Sequence, residues 1–254
     1  MKNINKILGA FDPITLKEMD SVALMDRTDT KYVFTFDDLP KFLELIKDDY
    51  RVLEVSGYRV SRYESLYFDT VEFGLYYAHH KGAVNRFKIR YRKYVESDLN
   101  FFEVKFKNNR GRTIKNRVKR NQIDSDIREN AEELLKEKTP MESNNLEAKL
   151  WVNYSRITLV NKNSPERVTI DLDLTFRNDT EEKTIHNLVI AEVKQDKAIV
   201  SKFIKVMKHH HIRKGSISKY CYGVISLFNS VKHNNFKPSL ILLKKILNGT
   251  FARA

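Results

Sequence analysis

The chain has 254 residues, enough for one large domain with a substantial core, and its 46 Lys and Arg outnumber its 33 Asp and Glu. The net charge of +13 implies an acidic partner: nucleic acid, an anionic membrane surface or a polyphosphate. The one cysteine, Cys221, excludes an internal disulfide and a four-cysteine zinc site, and it favours a reducing compartment.

The sequence also carries no targeting signal that we recognise. Its N-terminus lacks the apolar core of a signal peptide, and no apolar run approaches the roughly 18 residues of a membrane span. We therefore expect a cytoplasmic protein.

The N-terminal part predicts helices around a first strand. Residues 1–24 carry a loose helical stripe interrupted at Asp12-Pro13, which predicts one or two short helices. A strand is predicted at 27–34, and a helix runs from Asp37 through Tyr50.

The rest of the chain predicts seven more strands and several helices. The strands are expected at 60–70, 84–94, 100–108, 112–120, 154–160, 166–177 and 187–195. A polar helical stretch at about 126–150 interrupts them, and helices at about 197–210 and 216–229 close the domain.

Several of these strands separate charged from apolar residues. In 86–94, successive side chains point to opposite faces, so Arg86, Lys88, Arg90 and Arg92 share one face. The same alternation groups these residues in the neighbouring strands: Glu103, Lys105 and Lys107, then Thr113, Lys115, Arg117 and Lys119, then Arg167, Thr169, Asp171 and Asp173. A single polar face usually borders solvent. Repeated Lys and Arg with few carboxylates instead suit a multiply charged anion.

These patterns predict an α+β fold built on an eight-stranded antiparallel β-barrel. A dry charged lumen would be costly, so the interior should be a wet basic tunnel, and helices should cover the apolar outside. We predict one domain over residues 1–230 and a basic amphipathic tail over 231–254.

The tail contains a further helix pattern after Lys237-Pro238. Ser239 is a possible N-cap, the apolar positions 240, 243 and 247 have helical spacing, and Gly249 is a stop signal. Packing on the barrel is the simpler interpretation. The alternative is peripheral docking on a membrane or on a membrane-protein partner, which the flanking lysines favour.

Seven short motifs, in this order, resemble the VTC domain, the polyphosphate polymerase domain of the triphosphate tunnel metalloenzyme (CYTH-like) superfamily. They extend from about Arg27 to Gly223 and are Arg27-x-Asp29-x-Lys31-Tyr32, Leu66-Tyr67-Phe68-Asp69, Lys88-x-Arg90-x-Arg92, Glu103-x-Lys105, Arg167-Val168-Thr169-Ile170-Asp171, Glu192-x-Lys194 and Ser218-Lys219-Tyr220.

The resemblance implies a tunnel that binds ATP and inorganic polyphosphate with Mn²⁺ or Mg²⁺. The implied catalytic residues are Lys31, Arg90, Arg92, Lys105, Arg156, Arg167 and Lys219. Further substrate-binding candidates are Arg27, Lys88, Lys107, Lys115, Arg117, Lys194 and Ser218. The implied metal ligand is Glu192.

The first strand departs from the family pattern. Asp29 stands where the family usually has Glu, and the paired glutamates of the superfamily's hydrolases are absent. Fewer carboxylates on the metal favour the polymerase branch.

The leading hypothesis is therefore a polymerase that passes the γ-phosphoryl group of ATP to a phosphate chain. A metal-dependent triphosphate or polyphosphate hydrolase is the first alternative, and a binding module for polyphosphate or inositol phosphates without turnover is the second. Nucleic-acid binding rests on charge alone, and because no recognition helix or stacking motif supports it, we expect no nucleic-acid partner. Removal of Arg90 or Arg92 is expected to relieve repulsion and leave the fold equally or more stable.

Overall fold

The strands of the described chain form one mixed sheet. The computed structural model describes residues 2–20, 28–196, 199–215 and 217–248. Within them the strands are β1 (Asp12–Ile14), β2 (Thr28–Thr35), β3 (Tyr50–Leu53), β4 (Ser61–Asp69), β5 (Arg86–Tyr94), β6 (Leu99–Lys107), β7 (Thr113–Arg120), β8 (Glu147–Asn161), β9 (Glu166–Arg177), β10 (Glu182–Ile185), β11 (Leu188–Gln195) and β12 (Lys214–Gly215).

Helices connect and cover these strands. They are α1 (Lys2–Gly9), α2 (Leu16–Asp20), α3 (Leu39–Ile46), α4 (Gly74–His80), α5 (Asn130–Lys138), α6 (Lys202–His209), α7 (Lys219–Leu227) and α8 (Lys237–Leu247). Short 3-10 turns lie at Phe36–Asp38, Val95–Ser97, Ser143–Asn145 and Asn234–Phe236.

All eight predicted strands are present, and they are neighbours in the sheet. The order is β12-β2-β11-β9-β8-β4-β5-β6-β7, with β1, β3 and β10 paired off this path. Among the described residues, all strand pairs are antiparallel except β1 with β3. The long alternating segments were therefore sufficient to find the central sheet.

The prediction of eight strands was wrong, and the described strand pairing does not confirm a closed barrel. The described part of the chain has twelve strands, because β1, β3, β10 and β12 are too short for an alternating pattern to reveal them. The pairing path is open and ends at β7, which pairs with β6 alone among the described residues. Exposed Lys115, Arg117 and Lys119 line β7, and charged side chains protect an edge strand from further pairing.

Two connecting segments also differ from the prediction. The polar stretch predicted as helix to about 150 is helical only over Asn130–Lys138, and β8 already begins at Glu147. Pro140 follows the helix and cannot continue it. The sequence analysis missed α4, whose first turn is held by side chains of β4 and the residue after it: Thr70 Oγ1 accepts from the Gly74 N–H at 2.8 Å.

One face of the sheet, here called the outer face, is covered by helices. Side chains of α1, α3 and α6 bury the outer face of β2, β11, β9 and β8, where Phe34, Phe42 and Phe203 are almost fully buried. Side chains of α5 cover the outer face of β4, β5 and β6 around Tyr91 and Phe102. Burying these large apolar surfaces stabilises the sheet and fixes which side chains must lie on the opposite, inner face.

Helix α7 packs on part of the inner face. A Cβ atom placed at Gly223 would lie 2.4 Å from Leu150 and 2.8 Å from Phe176, so only glycine allows the helix to approach β8 and β9 this closely. The rest of the inner face carries the cations, and we call it the cationic face.

The C-terminal helix α8 packs against the aromatic cluster that surrounds α7. Leu243 is buried, and Leu240 and Leu247 pack beside it, so the apolar stripe of the tail is used within the fold. The helix begins at Lys237, two residues before the expected Ser239 cap. None of the described helices is long and apolar enough to cross a membrane.

Candidate active site on the cationic face

Strand register brings the predicted cations onto one surface. Lys31 lies opposite Glu192, and Lys194 lies opposite Arg167. The central pair is Arg156 and Asp171, from β8 and β9. Two rows of directly opposed residues run across β5, β6 and β7. The first row is Arg90, Glu103 and Arg117, and the second is Lys88, Lys105 and Lys115.

Glu192 holds two lysines at one side of this surface. Its carboxylate lies 2.7 Å from Lys31 Nζ and 3.1 Å from Lys194 Nζ. Burial opposes ionisation of Glu192, but Lys194 and Lys31 outweigh it and lower its pKa, so the group is an anion at neutral pH. Burial lowers the pKa of Lys194 to about 8, with Arg156 and Arg167 acting in the same direction against Glu192.

Asp171 holds two cations at the centre. It accepts from Arg156, with Nη2 at 2.8 Å, and it also pairs with Lys219 from the first turn of α7. Asp171 is 3% exposed. Burial would raise its pKa, yet Arg156 and Lys219 lower it to about 2.

Glu103 holds two cations at the other side. It is fully buried and accepts from Arg90 Nε at 2.8 Å, and its second oxygen pairs with Lys115. Burial opposes its ionisation, but Arg90 and Arg92 reverse the effect and lower its pKa. Three inner-face carboxylates thus each serve two cations.

Other cations face like charges directly. Arg86 lies opposite Lys107, and Lys105 lies between Lys88 and Lys115. Like charges directly opposite across a sheet are destabilising. Burial, followed by Arg90, lowers the pKa of Lys105 well below 10.5, and burial also lowers the pKa of Lys88. In the part of the chain that the structure describes, Lys105 forms neither an ion pair nor a hydrogen bond.

The buried tyrosine Tyr67 reports the same positive potential. Burial alone would raise the pKa of its phenol, but Arg90, Arg92 and Lys88 together lower it below the usual value. Its oxygen accepts from Arg90 Nη1 at 2.6 Å. Negative charge is therefore favoured at this point of the surface even without a carboxylate.

Arg92 is held from behind by neutral groups. Its Nε donates to Ser65 Oγ at 3.0 Å, and its guanidinium carbon lies 5.4 Å and 5.7 Å from the ring centres of Tyr63 and Tyr154. These two rings are stacked, with centres 5.2 Å apart. A guanidinium fixed in this way, with no carboxylate partner among the described residues, is preorganised to bind phosphoryl oxygens.

A contact between the motif that ends at Asp69 and the motif that ends at Tyr220 holds the start of α7 at the cationic face. Tyr220 donates to Asp69, which also accepts from the Leu75 and Tyr76 N–H groups at 2.8 Å and 2.9 Å. The Tyr220 ring stacks on Tyr67, with centres 5.0 Å apart. This contact anchors the first turn of α7.

The anchored turn presents Ser218 and Lys219 to the cationic face. Ser218 is the N-cap of α7, and its Oγ accepts from Lys88 Nζ at 3.1 Å. Lys219 Nζ lies 4.7 Å from the Tyr154 ring centre.

Most of the predicted residues therefore lie together. Lys107 and Arg117 lie at the margin and are exposed, with Arg117 stacked 4.4 Å from the Phe101 ring centre. Arg27 lies outside the described residues.

The sequence analysis assigned no role to the residues that support the arginines and anchor α7, although three of them stood in its motifs. These residues are Tyr63, Ser65, Tyr67, Asp69, Tyr154 and Tyr220. The alternation of Tyr63, Ser65 and Tyr67 along β4 was the available signal.

A metal site made of protein ligands alone is absent from the described chain. No three His, Cys, Asp or Glu side chains there are grouped to hold an ion. Glu192 is anionic and presents hard oxygen ligands, and Mg²⁺ is commonly bound by one or two carboxylates with substrate phosphates. The residues therefore fit an ion that is shared with a phosphate ligand.

Comparison with protein families places most of the chain in one of them. The family model described as the VTC domain matches residues 26–228. No curated protein matches the sequence significantly.

Solved structures are similar in fold at low sequence identity. HpAC1 from Hippeastrum, a proposed adenylyl cyclase described as having a dominant triphosphatase activity, matches with a TM-score of 0.52 and 11% identity, over 80% of this chain and 96% of that one. Proposed adenylate cyclases from Bacillus halodurans and Vibrio parahaemolyticus give TM-scores of 0.47 and 0.46, with 13% and 11% identity, over 80% and 78% of this chain and 100% and 99% of theirs. The Hippeastrum protein supports a shared fold.

Proposed function

The chain belongs to the VTC domain family, and on that premise we propose that it is a polyphosphate polymerase. It transfers the γ-phosphoryl group of ATP to the end of a polyphosphate chain and releases ADP. The observation that carries the proposal is the set of directly opposed cations, Lys88, Lys105 and Lys115, beside Arg92, which has no carboxylate partner in the described chain. A chain of phosphates relieves that repulsion at several successive positions.

Phosphoryl transfer needs positioning and charge stabilisation more than covalent work by the protein. Arg92 and Arg90 are held by tyrosines and by Glu103, and they bind phosphoryl oxygens through planar donors. Lys219 and Ser218 approach the same ligand from the start of α7. The attacking oxygen is already anionic in a phosphate chain, so a general base is not required.

Glu192, with phosphate oxygens of the ligand, would hold Mn²⁺ or Mg²⁺. Such an ion would supply positive charge that neutralises the charge developing on the departing diphosphate. Lys31 and Lys194, which pair with Glu192, would supply positive charge to the phosphates beside that ion.

The test incubates the purified protein with ATP and Mn²⁺ and separates phosphate products by gel, with ADP measured in parallel. We expect a ladder of chains and one ADP for each phosphoryl group transferred, and we expect Arg92→Ala to abolish both. Arg128→Ala is the matched control, because Arg128 is an exposed arginine that pairs with Asp126 outside the cationic face. Orthophosphate without a ladder would refute the polymerase, and retained binding without turnover would favour a binding module.

A hydrolase is the second candidate, because the structure with the 0.52 TM-score is described as a triphosphatase. It would use the same cations, with water as the attacking group. Release of orthophosphate from triphosphate in the same assay favours it.

A further inference from the structure

Two loops meet at one end of the sheet and form an ordered tip. The Asn109 N–H donates to Asn85 Oδ1 at 3.0 Å, which joins the β6–β7 hairpin to the loop before β5. Within the hairpin, Asn108 Oδ1 accepts from the N–H groups of Arg110 and Arg112 at 3.0 Å and 2.9 Å. We call loops 81–85 and 108–112, with the adjoining ends of β5, β6 and β7, the basic tip.

The basic tip contains no acidic residue. The sequence has no Asp or Glu from Phe73 to Val95, and none from Val104 to Ile123. Its exposed cations include Lys81, Lys107 and Arg110. A cluster of cations in segments that carry no acidic residue attracts an anionic lipid surface.

Exposed apolar side chains accompany these cations. Val84 is 63% exposed and Ile114 is 49% exposed. On the outer face, register places Phe87, Phe106 and Ile114 in one row, and the two phenylalanine rings are stacked with centres 4.7 Å apart. Phe106 belongs to none of the buried clusters, so the row extends beyond the surface that α5 covers.

We propose that the basic tip docks on an anionic phospholipid bilayer. The cations contact lipid phosphates, and Val84 and Ile114 enter the boundary between headgroups and acyl chains. This combination of apolar side chains with surrounding cations is typical of interfacial binding. A soluble polyanion would use the cations but would gain nothing from the exposed aliphatic side chains, so their presence favours a lipid surface.

The C-terminal helix is a weaker candidate for the same role. Its stripe of Leu240, Leu243 and Leu247 packs within the fold. Among the described residues of this helix, Ile241 is the one large apolar side chain that is exposed. Ile241 is 54% exposed, close to the exposure of Ile114, and it therefore provides a matched control.

The test measures flotation of the full chain with vesicles of phosphatidylcholine alone, or with roughly 30 mol % phosphatidylserine, in about 0.15 M salt. We expect binding only to the anionic vesicles. The double variant Val84→Ser with Ile114→Ser should bind about tenfold more weakly or worse, because its aliphatic groups are lost and its charge is kept. Lys81→Ala with Arg110→Ala should lose roughly thirtyfold. Ile241→Ser should bind like the wild type.

Three results would overturn the proposal. Wild-type protein that fails to float with anionic vesicles has no lipid-binding surface. If binding survives the two serine substitutions but not the two alanine substitutions, only the cations are needed, and the tip would instead bind soluble polyanions. Loss with Ile241→Ser would transfer the role to α8. Two controls separate these outcomes from misfolding. The first is Val84→Ser alone, which changes only an exposed loop, and the second is the melting temperature of each variant.

Discussion

Lys105 offers the sharpest test of the view that the cationic face is strained until an anion binds. We predict that Lys105→Met raises the stability of the free protein and weakens its binding of triphosphate. The lysine is partly buried between Lys88 and Lys115, and burial with Arg90 lowers its pKa well below 10.5. Methionine keeps a similar length of apolar chain and removes the charge.

Loss of the unpaired Lys105 and loss of the paired Arg90 are expected to change the melting temperature in opposite directions. Removing an unpaired cation is expected to stabilise by on the order of 1 kcal/mol, which raises the melting temperature by about 2–4 °C in a chain of this size. Arg90→Met instead leaves Glu103 buried with Lys115 as its remaining ion-pair partner. Breaking a buried ion pair costs about 3–5 kcal/mol, so we expect a fall of roughly 6–20 °C. The expectation that loss of Arg90 leaves stability intact is thus reversed by its pairing.

The assay is thermal unfolding of the wild type and both variants, with and without triphosphate, across a range of pH. Because the folded-state pKa of Lys105 is lowered, the unfolded chain binds more protons, and wild-type stability rises with pH through that pKa. The advantage of Lys105→Met should therefore shrink as pH approaches 10.5 and both states become neutral. If Lys105→Met at neutral pH lowers the melting temperature, as Arg90→Met is expected to do, the reasoning is refuted.

Two further predictions concern the metal ligand and the anchor of α7. Glu192→Gln should remove the Mn²⁺-dependent turnover while keeping much of the affinity for triphosphate, and an unchanged metal titration would show that Glu192 is not the ligand. Tyr220→Phe removes the donor to Asp69 and should weaken triphosphate binding several-fold, because the first turn of α7 that carries Lys219 loses its anchor. Addition of Asp69→Asn to that variant should cost little more binding, and fully additive losses would argue against a coupled contact.

The central sheet could be predicted because its signal is local. Alternation along β5 and β9 identifies each strand and sorts its faces without knowledge of its neighbours. The two-residue β12 and three-residue β1 have no such pattern, since they form only where a partner strand offers hydrogen bonds. Whether the sheet closes was likewise beyond a local signal, because closure depends on whether β7 can pair with the strand at the opposite edge of the sheet.

The pairing of charges depends on register, which the sequence alone does not specify. Alternation groups Arg90 with Arg92, but only the β5–β6 register sets Arg90 opposite Glu103. The contact of Tyr220 with Asp69 spans 151 positions, and nothing local to either motif indicates it. The residue types of the site were therefore predictable, whereas the division between paired and opposed cations was not.

That division explains how one surface can both fold and bind a polyanion. If every cation were paired, a phosphate chain would have to displace carboxylates at each step, and if none were, repulsion would oppose folding. Glu192, Asp171 and Glu103 instead stabilise the cations in their surroundings, while Lys105 and Arg92 lie between these pairs without a carboxylate partner in the described chain. Free energy lost in holding these two charges during folding is recovered when the ligand binds, so binding strength and strain in the free protein are expected to change together across variants of the unpaired cations.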